Sequence, residues 1–245
     1  MPSDVTGFSI FNQKTREFEF KPGAIMTNMV LADEINRASA KTQSALLEAM
    51  EERQVTVDGE TRKLAEPFMV LATQNPIEQY GTYPLPEAQL DRFLIKISMG
   101  YLKMDEEVRA ILESDKAKAE IRPVISGEDV LYLRQAADEI TISPAVARYA
   151  VQIVAATRTA PECAFGASPR GSKALVSLAK AHALLRGRSY VSPDDIKYLA
   201  PYTLSHRIAL THEAKMEGRT PEAVIQTLLE SVAVPTVTKE EAKEL

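Results

Sequence analysis

Residues 29–34, Met-Val-Leu-Ala-Asp-Glu, place four apolar side chains directly before two adjacent carboxylates. A second apolar run of the same kind, residues 68–73, ends in Gln74-Asn75-Pro76. Continuous apolar runs of this length predict strands of a parallel sheet that is covered on both faces. A third and weaker strand is predicted at residues 93–97 (FLIKI). The three runs together indicate an α/β fold for this part of the chain.

A helix and a hairpin are predicted between the first two runs. Apolar residues recur at helical spacing through residues 39–53, and Ser39 can cap the start of that helix. The dipeptide Asp58-Gly59 then stands between two short alternating runs, which is a strong signal for a hairpin over residues 54–64.

The chain after residue 103 reads almost entirely as amphipathic helix, which predicts a helical bundle. At five places a Ser or Thr precedes a Pro or an acidic residue, the pattern of a helix start: Ser126, Ser143, Ser168, Ser192 and Thr220. The predicted organisation is an α/β domain over residues 1–102, a helical domain over residues 103–235 and a charged tail over residues 236–245.

Composition narrows the class of protein. The 245 residues carry a net charge of −5, so no global basic field favours nucleic acid or acidic lipid as a partner. The one cysteine, Cys163, cannot form an internal disulfide. No apolar run approaches the roughly 18 residues of a membrane span, and the N-terminus lacks the pattern of a secretory signal. We therefore expect a cytoplasmic protein without a membrane span.

The two acids suggest chemistry at the edge of the sheet. Ligands of open α/β sheets bind outside the carboxyl ends of the strands, where Asp33 and Glu34 are predicted to lie. There Asp33 could hold Mg²⁺, directly or through water, and Glu34 could orient and deprotonate an attacking water. Asn75 could position that water or contact a terminal phosphate. On these motifs alone, a strand that leads into a solvated turn is the simpler explanation of the acids, and an Asn-Pro turn is the simpler explanation of Asn75.

Two arginines are candidates for contact with phosphate. Arg92 lies in Gln-Leu-Asp-Arg-Phe at a predicted helix–strand junction, and it is either a surface cation or a group that reaches a neighbouring subunit's nucleotide. Arg170 lies in the first turn of a predicted helix, where its charge opposes the helix dipole. Contact with phosphate would explain Arg170, and so would a surface salt bridge.

The order of these motifs resembles the MoxR family of AAA+ ATPases. The motifs are VLADEINRA at residues 30–38, TQNP at 73–76, QLDRF at 89–93 and GASPRG at 166–171. Further matching stretches lie at residues 41–50, 54–64 and 204–208, so the resemblance covers essentially the whole chain. It implies an AAA+ parallel-sheet core followed by a helical lid domain.

The resemblance also implies a role for each candidate residue. Asp33 and Glu34 match the Walker B pair, in which Asp33 serves Mg²⁺ and Glu34 activates water. Asn75 matches sensor 1. Arg92 looks like the arginine finger given to a neighbouring subunit, and Arg170 looks like the sensor 2 arginine acting on bound nucleotide. The implied cofactors are ATP and Mg²⁺. The implied assembly is a homo-oligomer, usually a hexamer, that remodels or matures client proteins, some with von Willebrand factor A domains.

One expected element is missing from the sequence. A phosphate-binding loop needs Gly-x-x-x-x-Gly-Lys-Ser/Thr, and none of the ten glycines here is followed by lysine. In similar proteins this loop lies upstream of the segment that matches the start of this chain. The resemblance therefore implies a fragment that begins at an internal methionine, that lacks the Walker A region and that is inactive alone. A non-hydrolysing interaction module derived from the same family is the main alternative. A nucleic-acid motor is a further alternative, which the acidic charge balance disfavours.

Overall fold

The computed structural model describes residues 1–75, 83–113 and 121–235. The charged tail predicted at residues 236–245 lies outside the described residues. The first part of the chain combines short helices with three two-stranded sheets. Its elements are α1 (Pro2–Thr6), β1 (Gly7–Asn12), β2 (Glu17–Pro22), β3 (Met29–Ala32), a 3₁₀ turn (Ile35–Arg37), α2 (Ala40–Glu52), β4 (Gln54–Val57), β5 (Glu60–Lys63), β6 (Met69–Ala72) and α3 (Glu87–Leu90).

The two strongest apolar runs form the predicted parallel strands. β3 and β6 pair in parallel, with Met29 opposite Met69 and Ala32 opposite Ala72. Alternate residues of both strands, including Val30 and Val70, pack against the core of this region. On the other face Met29, Leu31, Met69 and Leu71 are 49–68% exposed. The prediction of a sheet covered on both faces is therefore wrong for the described residues.

The predicted helix and hairpin are both present. The hydroxyl of Ser39 caps α2 by accepting a hydrogen bond from the Thr42 backbone N–H at 3.3 Å. β4 and β5 pair as an antiparallel hairpin, and both turn residues, Asp58 and Gly59, have positive φ angles of 54° and 81°. This turn matches the twist of a tight hairpin, and glycine adopts such angles without strain.

The predicted third strand at residues 93–97 does not form. The segment has no regular secondary structure, and its Lys96 N–H donates to the Tyr202 carbonyl of the helical part at 2.9 Å. The Phe93 and Leu94 carbonyls accept hydrogen bonds from Arg207, also in the helical part. The backbone groups of this apolar run thus form hydrogen bonds with residues that are distant in sequence, where a strand would bond to its neighbour. The run therefore packs against the helical part of the chain and does not join the sheet.

The second part of the chain is helical, as its periodicity indicates. The five predicted cap residues each stand at the N-cap of a helix, and each side chain accepts a backbone N–H. The elements are α4 (Met104–Leu112), α5 (Gly127–Glu139), α6 (Pro144–Thr159), β7 (Cys163–Phe165), α7 (Pro169–Leu185), α8 (Pro193–Leu204), a 3₁₀ turn (Ser205–Arg207), β8 (Ala209–Leu210), α9 (His212–Met216) and α10 (Pro221–Ser231).

One hydrophobic core joins these helices. α6, α7, α8 and α10 contribute fully buried residues such as Ile153, Leu175, Ile196 and Ile225. At the start of α8 the buried Asp195 accepts hydrogen bonds from the Arg188 guanidinium, from both the backbone and the hydroxyl of Ser192, and contacts His182. Burial by itself would raise the pKa of Asp195, but these hydrogen bonds hold it well below its ordinary value.

Candidate functional site

The carboxyl edge of the β3–β6 pair gathers the acidic candidates as predicted. The Thr73 hydroxyl donates to Asp33 Oδ1 at 2.5 Å and accepts the Glu34 backbone N–H at 2.9 Å. The Thr73 carbonyl in turn accepts the Ile35 N–H at 3.0 Å. Thr73 therefore ties the end of one strand to the loop after the other, and it holds the carboxylate of Asp33 at the edge.

Glu34 occupies a strained backbone conformation. Its φ and ψ angles of 48° and 49° lie in the left-handed region, which residues with a side chain seldom adopt. Its carboxylate pairs with the Arg37 guanidinium at 3.1 Å, and both side chains are partly exposed. Backbone strain of this kind concentrates at functional sites, where the surrounding contacts maintain it.

Asn75 lies at the same edge and is positioned by Asn36. The Asn36 side-chain amide donates to the Asn75 carbonyl at 3.2 Å, and Asn36 is itself buried. The Asn36 Oδ1 atom is buried without a hydrogen-bond partner among the described residues. Gln43 secures the same loop from α2, because its amide donates to the carbonyls of Ile35 and Tyr83. Asp33, Glu34 and Asn75 are thus brought together as the sequence predicts.

The two arginines converge on a different residue. Arg92 Nη1 lies 2.9 Å from Glu51 Oε2, and Arg170 Nη2 lies 2.6 Å from Glu51 Oε1. The Arg170 guanidinium also lies 3.8 Å from Asp91. The surface salt bridge that was the alternative for Arg170 is therefore present, and Arg92, for which a surface cation was the alternative, pairs with the same carboxylate.

Each group lies at its own end of α2. Gln43, in the first turn, contacts the loop that follows Glu34, whereas Glu51 lies eight residues further along. At 1.5 Å per residue these levels of the helix are about 12 Å apart along its axis. The structure thus brings the acids and the amide together in one group and the arginines together in another.

A buried ion pair joins the segment that carries Arg92 to the helical part of the chain. Arg207, with a side chain only 2% exposed, donates from Nε to Asp91 Oδ1 at 2.9 Å. Its other nitrogens donate to the carbonyls of Asp91, Phe93, Leu94 and Thr203. The contacts with Asp91, Phe93 and Leu94 therefore fix the segment that carries Arg92 onto the end of α8.

The same aspartate also positions Arg170. The Ser168 hydroxyl, at the N-cap of α7, donates to Asp91 Oδ2 at 2.9 Å. The loop before it is fastened to α6 by the Ala167 N–H donating to Thr157 Oγ1 and by Arg158 Nε donating to the Ala167 carbonyl. At Gly166 a side chain would meet the Arg158 backbone at 2.6 Å, so only glycine fits there.

His206 completes the joint between the two parts. Its Nε2–H donates to the Phe93 carbonyl at 2.9 Å, and its Nδ1 atom has no hydrogen-bond partner in the described part of the chain. Burial, with the nearby charge of Arg207, lowers the pKa of His206 to about 4. His206 is therefore neutral at physiological pH.

Sequence reasoning missed the residues that hold the candidates in place. Thr73 and Asn36 stand inside the quoted motifs, but only their contacts reveal a role. Glu51 is one of several glutamates on α2, and nothing in its spacing marks it. The stretch at residues 204–208 matched the family as a motif, and that match was the available signal for His206 and Arg207.

Two kinds of feature are absent from the described residues. No helix in the described ranges is both long and apolar enough to cross a membrane. Within those ranges no group of three or more His, Cys, Asp or Glu side chains is placed to hold a metal ion. Asp33 supplies a hard oxygen donor, and Mg²⁺ in proteins often binds one or two carboxylates together with substrate phosphates.

Comparisons with known proteins identify the family of both parts. Residues 1–95 match the ATPase family associated with various cellular activities (AAA), and residues 155–228 match the AAA lid domain. The uncharacterized protein YeaC of Bacillus subtilis is 55% identical over 237 residues, which cover 96% of this chain and 74% of that protein. The chaperone MoxR1 of Mycobacterium tuberculosis is 43% identical over 246 residues, 97% of this chain and 65% of that protein.

A solved structure agrees with these relatives. A crystal structure of a proposed ATPase from Cytophaga hutchinsonii superimposes with a TM-score of 0.88 at 42% identity, over 96% of this chain and 75% of that one. The fold is therefore a parallel-sheet core followed by a helical lid. With an AAA match over the first part, an AAA lid match over the second and a MoxR-named relative along 97% of its length, the chain belongs to the MoxR-type AAA+ ATPases.

Proposed function

We propose that the chain serves an ATPase that couples ATP binding and hydrolysis at subunit interfaces to remodelling or maturation of client proteins. The observation that carries this proposal is the convergence of Asp33, Glu34 and Asn75 at the carboxyl edge of β3 and β6. That edge is where α/β sheets bind ligands, and acids and an amide there can serve a metal ion, an attacking water and a terminal phosphate.

Asp33 and Glu34 divide the work at this edge. Asp33 would hold the Mg²⁺ ion that accompanies ATP, directly or through water, and the ion would offset charge on the phosphates when bound. Glu34 would accept a proton from the attacking water. Its ion pair with Arg37 places the carboxylate beside this edge, where a general base must lie to reach the water.

Asn75 would act as the sensor of the terminal phosphate. Its backbone is held by Asn36, so a shift of the amide side chain would pass to the loop after β3. Arg92 would be given to the nucleotide of a neighbouring subunit, and Arg170 would act on bound nucleotide from the lid. Charge supplied by arginine is a large part of catalysis in related phosphate-transfer enzymes.

The assembly proposed for this function is a homo-hexamer in the cytoplasm. Its clients would include proteins with von Willebrand factor A domains. The hairpin β1–β2 offers one surface for client contact, because Phe11 and Phe18 on it are 49% and 75% exposed. Exposed apolar side chains grouped together mark sites of protein contact.

The sequence as printed contains no Gly-Lys-Ser/Thr loop, so we propose that the chain by itself binds ATP poorly and hydrolyses little of it. A steady-state ATPase assay compares the 245-residue chain with a chimaera that places the phosphate-binding segment of a full-length relative ahead of Met1. The chimaera should turn over ATP, and Glu34→Gln should abolish turnover while nucleotide binding persists. A chimaera that binds ATP and hydrolyses it equally well with Gln at position 34 would refute the proposed base.

A non-hydrolysing interaction module is the second candidate. One observation favours it: Arg92 and Arg170 already have a carboxylate partner, Glu51, within the chain. Calorimetry separates the two candidates, since the module predicts no heat of ATP binding even for the chimaera. The ATPase predicts saturable binding that needs Mg²⁺.

A further inference from the structure

Helix α4 is amphipathic, and its apolar side is open to solvent. Met104, Val108, Ile111 and Leu112 stand at positions i, i+4, i+7 and i+8, which places them on one face of the helix. These residues are 81%, 49%, 68% and 73% exposed. All nine residues of α4 are exposed in the described chain. The four apolar residues therefore form a stripe that the described part of the chain leaves largely open to solvent.

The segment before α4 extends this apolar surface. Met99, Tyr101 and Leu102 are 91%, 97% and 58% exposed. Large exposed apolar patches mark sites of protein contact. A helix of nine residues also needs packing, because isolated helices shorter than about 12–15 residues are marginal in water. Contact with a partner would bury the stripe and stabilise the helix.

The charges beside the stripe suit a second copy of the same helix. Asp105 and Arg109 lie along one border of the stripe, four residues apart. When two copies of α4 run antiparallel about a two-fold axis, each border faces the same border of the other copy. Asp105 of one copy can then lie level with Arg109 of the other, and the symmetry repeats this contact. An acid and a base at this spacing therefore make the border complementary to itself.

The same register interleaves the apolar residues. Met104 of one copy lies between the levels of Val108 and Leu112 of the other, within about 3 Å of each along the axis. The side chains of one stripe therefore fill the spaces in the other. The two-fold axis falls at the level of Glu107, whose carboxylate faces its own copy at the opposite border, and this like-charge contact weakens the pair.

We propose that α4 is a self-association surface, on which a second copy of this chain packs its own α4 antiparallel with Asp105 of each copy opposite Arg109 of the other. The inference goes beyond the proposed function, because it involves neither nucleotide nor hydrolysis. A two-fold contact also differs from the head-to-tail contacts that close a ring. The contact is smaller than a standard interface of about 800 Å² per partner, so we expect a dissociation constant of about 10–100 µM.

Sedimentation equilibrium of the 245-residue chain over about 5–500 µM measures this association. Val108→Asp places a charge in the middle of the stripe, so the dissociation constant should rise by about tenfold or more. Val151→Asp makes the same change on α6, at a valine that is 50% exposed where Val108 is 49% exposed. This control should keep the constant within about twofold of the parent.

The carboxylate at the two-fold axis gives a test with the opposite sign. Glu107→Gln removes the like-charge contact, so the dimer should become about twofold to fivefold tighter. Glu106→Gln removes the same charge from the far side of the helix. Glutamine at position 106 can still accept the Lys103 N–H that Glu106 accepts at 3.0 Å, so this control should associate like the parent.

A mixture of two variants tests the register. Asp105→Arg alone sets arginine against arginine, and Arg109→Asp alone sets acid against acid, so each should associate about fivefold more weakly than the parent. An equimolar mixture restores two opposite-charge contacts between the copies, and it should associate within about twofold of the parent. Neither variant regains a pair within its own helix, so recovery reports contact between copies. A parallel pair gives no such recovery, because the two borders then face each other.

Three results would overturn the inference. A chain that stays monomeric at the highest concentration would leave the stripe to a different partner. Equal dissociation constants for Val108→Asp and Val151→Asp would place the contact elsewhere on the chain. A mixture that associates no more tightly than its two components would exclude the antiparallel register. Circular dichroism confirms that the variants are folded, and the Glu107→Gln and mixture experiments keep the test decisive if Val108→Asp is not.

Discussion

The buried pair between Asp91 and Arg207 supports a quantitative prediction. Asp91→Ala leaves a guanidinium that is 2% exposed without its counter-charge. Removing one partner of a buried ion pair typically costs about 3–5 kcal/mol. Arg207 keeps its bonds to four backbone carbonyls, and Asp91 is 18% exposed, so the lower end applies. We expect the free energy of unfolding to fall by about 3 kcal/mol.

Urea unfolding followed by far-UV circular dichroism measures this loss. For a chain of this size a slope of roughly 3 kcal/mol per molar urea places the midpoint about 1 M lower. Asp91→Asn keeps the shape and one acceptor oxygen, so its loss should be about half as large. Asp138→Asn makes the same chemical change at an exposed site and should stay within about 0.5 kcal/mol of the parent. Coincident midpoints for Asp91→Ala and Asp138→Asn would refute the reasoning.

Three more predictions follow from single contacts. The pKa of His206 is about 4 when folded and 6.5 when unfolded, so only the unfolded chain gains a proton as pH falls between those values. Stability should therefore decrease by about 3 kcal/mol from pH 7 to pH 4 through this group, and His206→Gln should flatten the urea midpoint over that range. Asp195→Asn should cost about 3 kcal/mol at pH 7, measured by urea unfolding, because Arg188 loses its buried partner. That contribution of Asp195 is present above its ordinary pKa of 3.8 and is lost only as pH falls below it, since the folded pKa is lowered. Thr73→Val should lower stability by about 1 kcal/mol in the same assay, by removing the bonds to Asp33 and to the Glu34 backbone; an unchanged midpoint would mean that solvent replaces both bonds.

The elements that local chemistry determines were predictable from the sequence. The apolar runs at β3 and β6 read correctly because their residues are consecutive and their strands pair directly. The hairpin at Asp58-Gly59 and the five helix starts depend on a turn or a cap within four residues. Each of these signals depends only on residues that are close together in the sequence. It can therefore be recognised from the sequence alone.

The failures share a physical cause, which is competition from distant residues. Residues 93–97 have the composition of a strand. However, their carbonyls accept hydrogen bonds from His206 and Arg207, which lie more than 110 residues further along the chain. The ion pairs of Arg92 and Arg170 with Glu51 depend on how α2, α3 and α7 pack against one another. No periodic pattern in the sequence indicates that packing. The left-handed backbone at Glu34 was also unforeseen, because it reflects the surrounding contacts.

The hydrogen bonds of Arg207 determine which substitutions the segment that it contacts can tolerate. Four of its five acceptors are peptide carbonyls, which every amino acid supplies, and only the carboxylate of Asp91 is specific to a side chain. Substitution of Leu94, whose side chain is 48% exposed, therefore leaves the joint intact as long as the backbone keeps its path. The exposed side chains of this segment can therefore change without loss of the hydrogen bonds that Arg207 donates to its backbone.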